Sequence, residues 1–403
     1  MNKRYGGIRM DSLLIKGKTV LEILASAGHD AYFVGGCVRD RILALPIQDV
    51  DIATSARPEE VMQIFPKTVP TGLQHGTVLV IVDHTPYEVT TFRAEGEYDD
   101  YRRPSEVTFI QTIEADLSRR DFTMNAMAMD QHFRLIDPFD GKGALREKVI
   151  RTVGEPVDRF REDPLRIIRA LRFSAQLHFT LDDDTLQAVQ ASKAWIAHLS
   201  IERIAVEWSK WLTFADHHAL DILQRSGVAD ELPLFAPMAR VLPSFVQTKG
   251  VWTRMEERWA FLAILAKMDK EAIQSFLRRW KQSRALQNGV LSRIDAYHDA
   301  VKAGFTIGFL YQNDLTISQF AWEVCRHLQH AVPAWRDIEA LYENMPIHHR
   351  KELAISGKDV LAWSRRPAGP WVENVLRRAE EAVLHGTVEN SYIALQEWYD
   401  EHD

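Results

Sequence analysis

Four apolar residues, Ala31-Tyr32-Phe33-Val34, run into Gly35-Gly36-Cys37-Val38-Arg39-Asp40, and shortly afterwards comes Asp49-Val50-Asp51-Ile52-Ala53. The first run predicts a strand ended by a turn, whose glycines let backbone N–H groups approach a triphosphate closely. The second predicts a half-buried strand, flanked by Ile47, Val50 and Ile52, with Asp49 and Asp51 leaving from one face. Alone, a Gly-Gly pair is usually a strand-ending turn and an Asp-x-Asp a polar face. Together they are more specific, because like charges held that close repel and are costly without a cation. Mg²⁺ suits such a pair: it takes carboxylate oxygens, keeps several waters and completes its shell with substrate phosphates.

Thr77-Val78-Leu79-Val80-Ile81-Val82 and Tyr87-Glu88-Val89-Thr90-Thr91-Phe92 are β-branched runs separated by Asp83-His84-Thr85-Pro86. They predict a hairpin beside the Asp49 strand, with Glu88 on the face of Thr90. A strand glutamate is ordinarily solvated. Next to Asp49 and Asp51 it completes a two-metal carboxylate set, in which one ion activates a hydroxyl and the other stabilises leaving pyrophosphate.

In Arg161-Glu162-Asp163-Pro164-Leu165-Arg166-Ile167-Ile168-Arg169-Ala170-Leu171-Arg172-Phe173, Pro164 suits a first helical turn, Glu162 and Asp163 favour the N-terminal dipole, and Ile167, Ile168 and Leu171 give an apolar face. Asp163 and Arg166, three apart, are neighbours on that helix. For an arbitrary chain this is an amphipathic helix with a surface ion pair. The functional alternative is a nucleobase reader: a carboxylate accepts from the exocyclic amine of cytosine or adenine while a guanidinium donates to the adjacent ring acceptor, and uracil and guanine present the opposite pattern.

These segments, with Arg119-Arg120-Asp121-Phe122-Thr123-Met124-Asn125-Ala126 between them, resemble the nucleotidyltransferase superfamily and, within it, the class II tRNA nucleotidyltransferases or CCA-adding enzymes of bacterial type. The likeness continues through Ser200-Ile201-Glu202-Arg203 and Ile355-Ser356-Gly357-Lys358-Asp359-Val360 to Pro367-Ala368-Gly369-Pro370-Trp371, nearly the whole chain. It implies an α+β chain: a polymerase-beta-like head with a mixed β-sheet over residues 1–145, then an all-α neck (146–215), body (216–335) and tRNA-binding tail (336–403), seahorse-like in outline. It implies catalytic Asp49, Asp51 and Glu88, with Mg²⁺ on the two aspartates. Gly36, Arg39 and Arg120 would meet the triphosphate, Asp163 and Arg166 the base, and Arg169 and Arg172 the incoming nucleotide, supported by Gly35, Asn125 and Glu162. The implied partners are CTP, ATP and a tRNA 3′ end, in a homodimer.

Glu97-Tyr98-Asp99-Asp100-Tyr101-Arg102-Arg103-Pro104 is charged, aromatic and without apolar periodicity, which predicts an exposed loop. Most such loops only connect. In the resembling family a loop here, carrying Asp99, Asp100 and Arg102, accompanies the switch from C to A addition, which favours CCA over CC-only addition. The readings that stay open are a CC-adding enzyme, a bacterial poly(A) polymerase and a non-enzymatic RNA-binding relic.

With 403 residues, 46% of them apolar, the chain can pack two or more domains. Its two cysteines, and the lack of an eighteen-residue apolar span or signal-peptide pattern, predict a reducing cytosol and no membrane partner. Cys37 reads as a small packed residue, since no cysteine-protease motif accompanies it. The net charge of −7 does not advertise an RNA binder, so any RNA track must be local. After about residue 145 the pattern turns helical, and Trp208, Trp211 and Trp259 at helical spacing read as core. Arg278-Arg279-Trp280-Lys281, His348-His349-Arg350-Lys351, Arg365-Arg366 and Arg377-Arg378 are solvated helix faces singly, and RNA-phosphate candidates together. Asp216-His217-His218 and His348-His349 lack the further ligands of a metal phosphodiesterase.

Overall fold

The computed structural model describes residues 12–73, 76–95, 107–248, 251–364 and 366–402, in two compact units, Met1–Val251 and Trp252–Asp403. The segment predicted as a loop, with Asp99, Asp100 and Arg102, lies outside the described residues, as does Arg365.

The first unit opens with α1 (Ser12–Ser26), β1 (Ala31–Val34), α2 (Gly36–Ile42), β2 (Asp51–Thr54), α3 (Pro58–Ile64), β3 (Thr68–Gly72), β4 (Thr77–Val82) and β5 (Thr85–Thr91). The short pair β6 (Arg93–Glu95) and β7 (Val107–Phe109) follows, then α4 (Ile113–Ser118), β8 (Ala128–Met129), β9 (Leu135–Ile136) and α5 (Gly141–Glu147). Seven strands form one mixed sheet in the order β3-β4-β5-β2-β1-β8-β9, the kind of head the sequence predicts. Asp83 and His84 both have positive φ (48° and 61°), the geometry of a two-residue hairpin turn matched to strand twist, so Thr85 and Pro86 already belong to β5. β1 and β2 run antiparallel while β2 and β5 run parallel, with α3, β3 and β4 supplying the crossover. This register sets Val34, the last residue of β1, opposite Asp51, the first of β2, and Asp51 opposite Glu88, midway along β5.

The sheet is pinned by buried Leu14, Val20, Leu21 and Leu24 of α1, each such side chain contributing roughly 1.5–3 kcal/mol. A Cβ on Gly17 would stand 3.0 Å from the rings of Phe33 and Tyr87, so α1 lies close enough to the sheet that a side chain here would push those rings aside. A second cluster joins Val34, Ala53, Phe92, Ile113, Leu117 and Val153.

Beyond β10 (Val149–Ile150) come α6 (Pro156–Glu162), α7 (Leu165–Leu177), β11 (Thr180–Leu181), α8 (Asp183–Ser192), α9 (Ile201–Phe214) and α10 (His217–Ser226). The sequence predicts Asp163 on the same helix as Arg166. Instead α6 ends at Glu162, and Asp163 is extended (φ −147°, ψ 101°), because the following proline clashes with a helical residue before it. Trp208 and Trp211 of α9 are fully buried and stacked with centroids 4.6 Å apart, as predicted for core. Asp216 caps α10 by accepting from the Ala219 amide at 2.9 Å.

The second unit is helical in every described element. Helices Met255–Leu265, Lys270–Arg279, Arg284–Ala303 and Leu315–His327 close over Trp252, Trp259, Phe276 and Trp280. His348 and His349 both face Glu352, at 3.6 and 3.0 Å, in a local acid–histidine cluster. Among the described residues no helix is long and apolar enough to cross a membrane.

Candidate active site

Gly35 links β1 to α2 at φ 71° and ψ −130°, a conformation that favours glycine. A Cβ there would stand 2.9 Å from Arg120 Nη1 and 3.8 Å from Asp51 Oδ2, so the missing side chain leaves guanidinium, carboxylate and backbone open to one ligand. Asp51 opens β2 beside this turn. Asp49 is exposed and lies in the irregular segment before the strand, which corrects the expectation of two aspartates on one strand face. The Asp51 carboxyl is nevertheless pushed up to about 6, by burial first and then by Asp49 and Glu88, against the pull of Arg120.

That repulsion, from oxygen donors alone, fits a hard divalent cation. Among the described residues no three His, Cys, Asp or Glu side chains converge into a ligand shell, so water and phosphate oxygens must complete one. Glu88 is itself exposed, opposite Asp51.

Asp49, Asp51, Gly35 and Gly36 open on a cavity of about 880 Å³. Nine cationic side chains line it against five carboxylates, a positive concentration inside a chain of net charge −7. Arg39 donates from Nε to Asp40 Oδ1 at 2.8 Å and from Nη1 to Asn125 Oδ1 at 2.9 Å. Asn125 in turn donates to Asp121 Oδ1 at 3.1 Å, and Arg169 Nε donates to Asp121 Oδ2 at 2.7 Å. One hydrogen-bonded chain therefore ties α2 to α7. Burial pushes the Asp121 carboxyl up, but Arg169, Asn125 and Arg166 outweigh it and hold it at about 2.

Arg172 donates to Glu207 Oε2 at 2.9 Å and to Gln176 Oε1 at 2.8 Å. Burial lowers its guanidinium to about 10, against the pull of Glu207, and it stays cationic at neutral pH. Arg39, Arg169 and Arg172 also gather around the Phe173 ring, 5.0, 5.3 and 3.5 Å from its centroid, where the π-face attracts cations that repel one another. Arg120 donates to Asp116 Oδ2 at 3.3 Å.

Asp163 and Arg166 both line the cavity, but each is held by someone else. The Asp163 carboxylate accepts from Arg203 Nη1 at 3.1 Å and Nη2 at 2.7 Å. Arg166 donates to Glu162 Oε2 at 2.7 Å and to the Arg119 carbonyl at 3.1 Å. A carboxylate has about four acceptor positions and a guanidinium five donors, so both keep capacity for a ligand.

Asp121, Arg203 and Glu207 were not among the residues singled out from sequence. Asp121 stands inside the quoted Arg119-Arg120-Asp121 run and Arg203 inside Ser200-Ile201-Glu202-Arg203, signals of a sort. Glu207 offered none, since an acid between Val206 and Trp208 reads as any helix position. The Cys37 thiol donates to the Val34 carbonyl at 3.2 Å and is raised to about 12, by burial above all, which suits a packed residue and not a nucleophile.

Residues 31–151 match the family described as the poly A polymerase head domain, residues 178–238 the probable RNA and SrmB-binding site of polymerase A, and residues 251–399 the putative tRNA nucleotidyltransferase domain 2. A CCA-adding enzyme of Geobacillus sp. (strain WCH70) is 42% identical over 400 residues, spanning 95% of this chain and 96% of that one. One from Anoxybacillus flavithermus is 43% identical over 94% of this chain and 95% of its own. The crystal structure of the Bacillus stearothermophilus CCA-adding enzyme in complex with CTP superposes with a TM-score of 0.83 at 38% identity, covering 97% of this chain and 98% of that one. Kinship of this depth, end to end and in both sequence and fold, makes the chain a member of the CCA-adding enzymes.

Proposed function

We propose that the cavity binds CTP or ATP beside a tRNA 3′ end and adds C, C and A in turn, without a nucleic-acid template. One observation carries the reading: Asp163 and Arg166 line the same cavity as Asp49, Asp51 and a concentration of arginines. The 3′ oxygen of the RNA bonds to the α-phosphorus as the bond to pyrophosphate breaks. Gly35 and Gly36 admit the phosphates, and Arg39 and Arg120 grip them with charge-assisted hydrogen bonds. Asp49 and Asp51 would hold Mg²⁺, with Glu88 assisting, and the ion supplies charge neutralisation at the attacking and leaving oxygens.

Base choice falls to Asp163 and Arg166, with Arg169 and Arg172 along the nucleotide. Arg203 and Glu162 hold the selecting pair in place, so that a wrong base leaves buried polar groups unsatisfied. Asp99, Asp100 and Arg102 belong to the loop proposed to reset this pair for A. The proposal includes the neck, body and tail division, a homodimer, and a cytoplasmic setting that the free thiols of Cys37 and Cys325 suit.

The test supplies a tRNA lacking its end together with all four nucleotides and sequences the product. CCA supports the proposal. Addition that stops at CC, runs of A, or RNA binding without addition each replaces it with a CC-adding enzyme, a poly(A) polymerase or an RNA-binding relic.

A further inference from the structure

Every arginine lining the cavity is engaged by a partner. Lys210 differs: it is exposed, and among the described residues its side chain has no hydrogen-bond or ion-pair partner. One turn further along α9 stands Phe214, the helix's last residue, 39% exposed. A single exposed phenylalanine is ordinary. This one shares a helix face with an unpaired cation, and both line the cationic cavity.

We propose that Lys210 and Phe214 hold one nucleotide of the single-stranded 3′ end of the acceptor RNA, its base stacked on the Phe214 ring and its phosphodiester on the Lys210 ammonium. The inference rests on the proposed function and extends it to a site for the second substrate. The contacts of α9 run in the same direction as the chain from the α6–α7 junction into α7: Arg203 meets Asp163 at the junction, and Glu207 meets Arg172 on α7. Phe214 lies eleven residues past Arg203, about 16 Å of helix rise. A nucleoside triphosphate brings one base, and Asp163 and Arg166 take it. The base that meets Phe214 therefore belongs to the RNA. Aromatic stacking accepts any base, which suits a platform whose occupant changes as the 3′ end grows.

The test titrates the full-length protein with a tRNA transcript lacking its CCA end, and separately with CTP. Phe214→Ala weakens RNA binding about tenfold, within the range for one lost base stack, while the dissociation constant for CTP holds. Phe214→Trp restores RNA affinity. Lys210→Ala lowers the slope of log affinity against log salt by about one. Weaker CTP binding with unchanged RNA affinity would hand the pair to the triphosphate and overturn the inference, and so would unchanged constants for both ligands. These titrations need no chemistry, so they stand apart from the proposed function, which fails if the unaltered protein adds no nucleotide to the same transcript.

Discussion

Asp51 is a half-buried acid and Asp121 a buried one, and their surroundings drive them in opposite directions. Asp51 meets burial and two further carboxylates and rises to about 6, whereas Asp121 meets two arginines and falls to about 2. The first is unfinished without a cation. Asp49→Ala or Asp51→Ala should reduce both C and A addition by about a thousandfold, near 4 kcal/mol of transition-state stabilisation, with tRNA affinity largely kept. Appreciable A addition by either variant would refute a shared metal site. The second acid is structural. Its carboxyl is depressed in the folded state, so its contribution to stability is complete above about pH 4 and disappears as pH falls towards about 2. Asp121→Asn should cost about 2 kcal/mol at pH 7, less than a fully enclosed pair because Arg169 faces the cavity. Thermal unfolding of both proteins across pH 7 to 2 checks this: the gap should narrow only below about pH 4.

The junction of α6 and α7 decides what the base-selecting pair can do. Had Asp163 sat on the helix it would neutralise Arg166 directly; the proline break turns it to Arg203 and leaves both groups facing the cavity. Asp163→Ala should therefore erode selection more than rate, and Arg203→Ala should do the same more mildly, because the aspartate remains without its clamp. Competition among four nucleotides measures it; a variant that merely slows and still prefers C and A would dismiss the template role. The break itself was written in Asp163-Pro164, but its consequence was not. Sequence shows spacing within an element, so the β4–β5 hairpin, the tryptophan core and the Gly35 turn were legible. It cannot show that Arg203 returns to Asp163 across 40 residues or Arg169 to Asp121 across 48. The sequence places Asp49 on the strand because Asp49 and Asp51 alternate with Val50 and Ile52, a pattern that begins two residues before backbone pairing does, at Asp51. Residues 97–103, outside the described residues, fall in the sequence between β6 and β7, which pair antiparallel with Arg93, a cavity residue, at their base. Shortening that connection should leave CC addition nearly normal and suppress A addition, since small displacements near a reacting centre are costly. Equal loss of both activities on product gels would rule out a switching role.

At the scale of the whole chain, labour is divided. Every residue of the candidate site, from Gly35 to Phe214, lies in the unit Met1–Val251, while Trp252–Asp403 builds a separate aromatic core around Trp259 and Trp280. Two compact units need not melt together, and a chain of this length is outside the range where single-transition unfolding is the default. Calorimetry should resolve two transitions. A ligand that binds only the native first unit stabilises that unit alone, by about 2.7 kcal/mol at a hundredfold excess over its dissociation constant. For a unit of this size that amounts to a rise of about 5–10 °C in one transition. CTP with Mg²⁺ should therefore raise one transition and leave the other in place, and Asp51→Ala should blunt the rise by removing part of what the ion and phosphates bind. A single transition that moves as a whole would show that the two units unfold as one, and the nucleotide would then be stabilising residues it never touches.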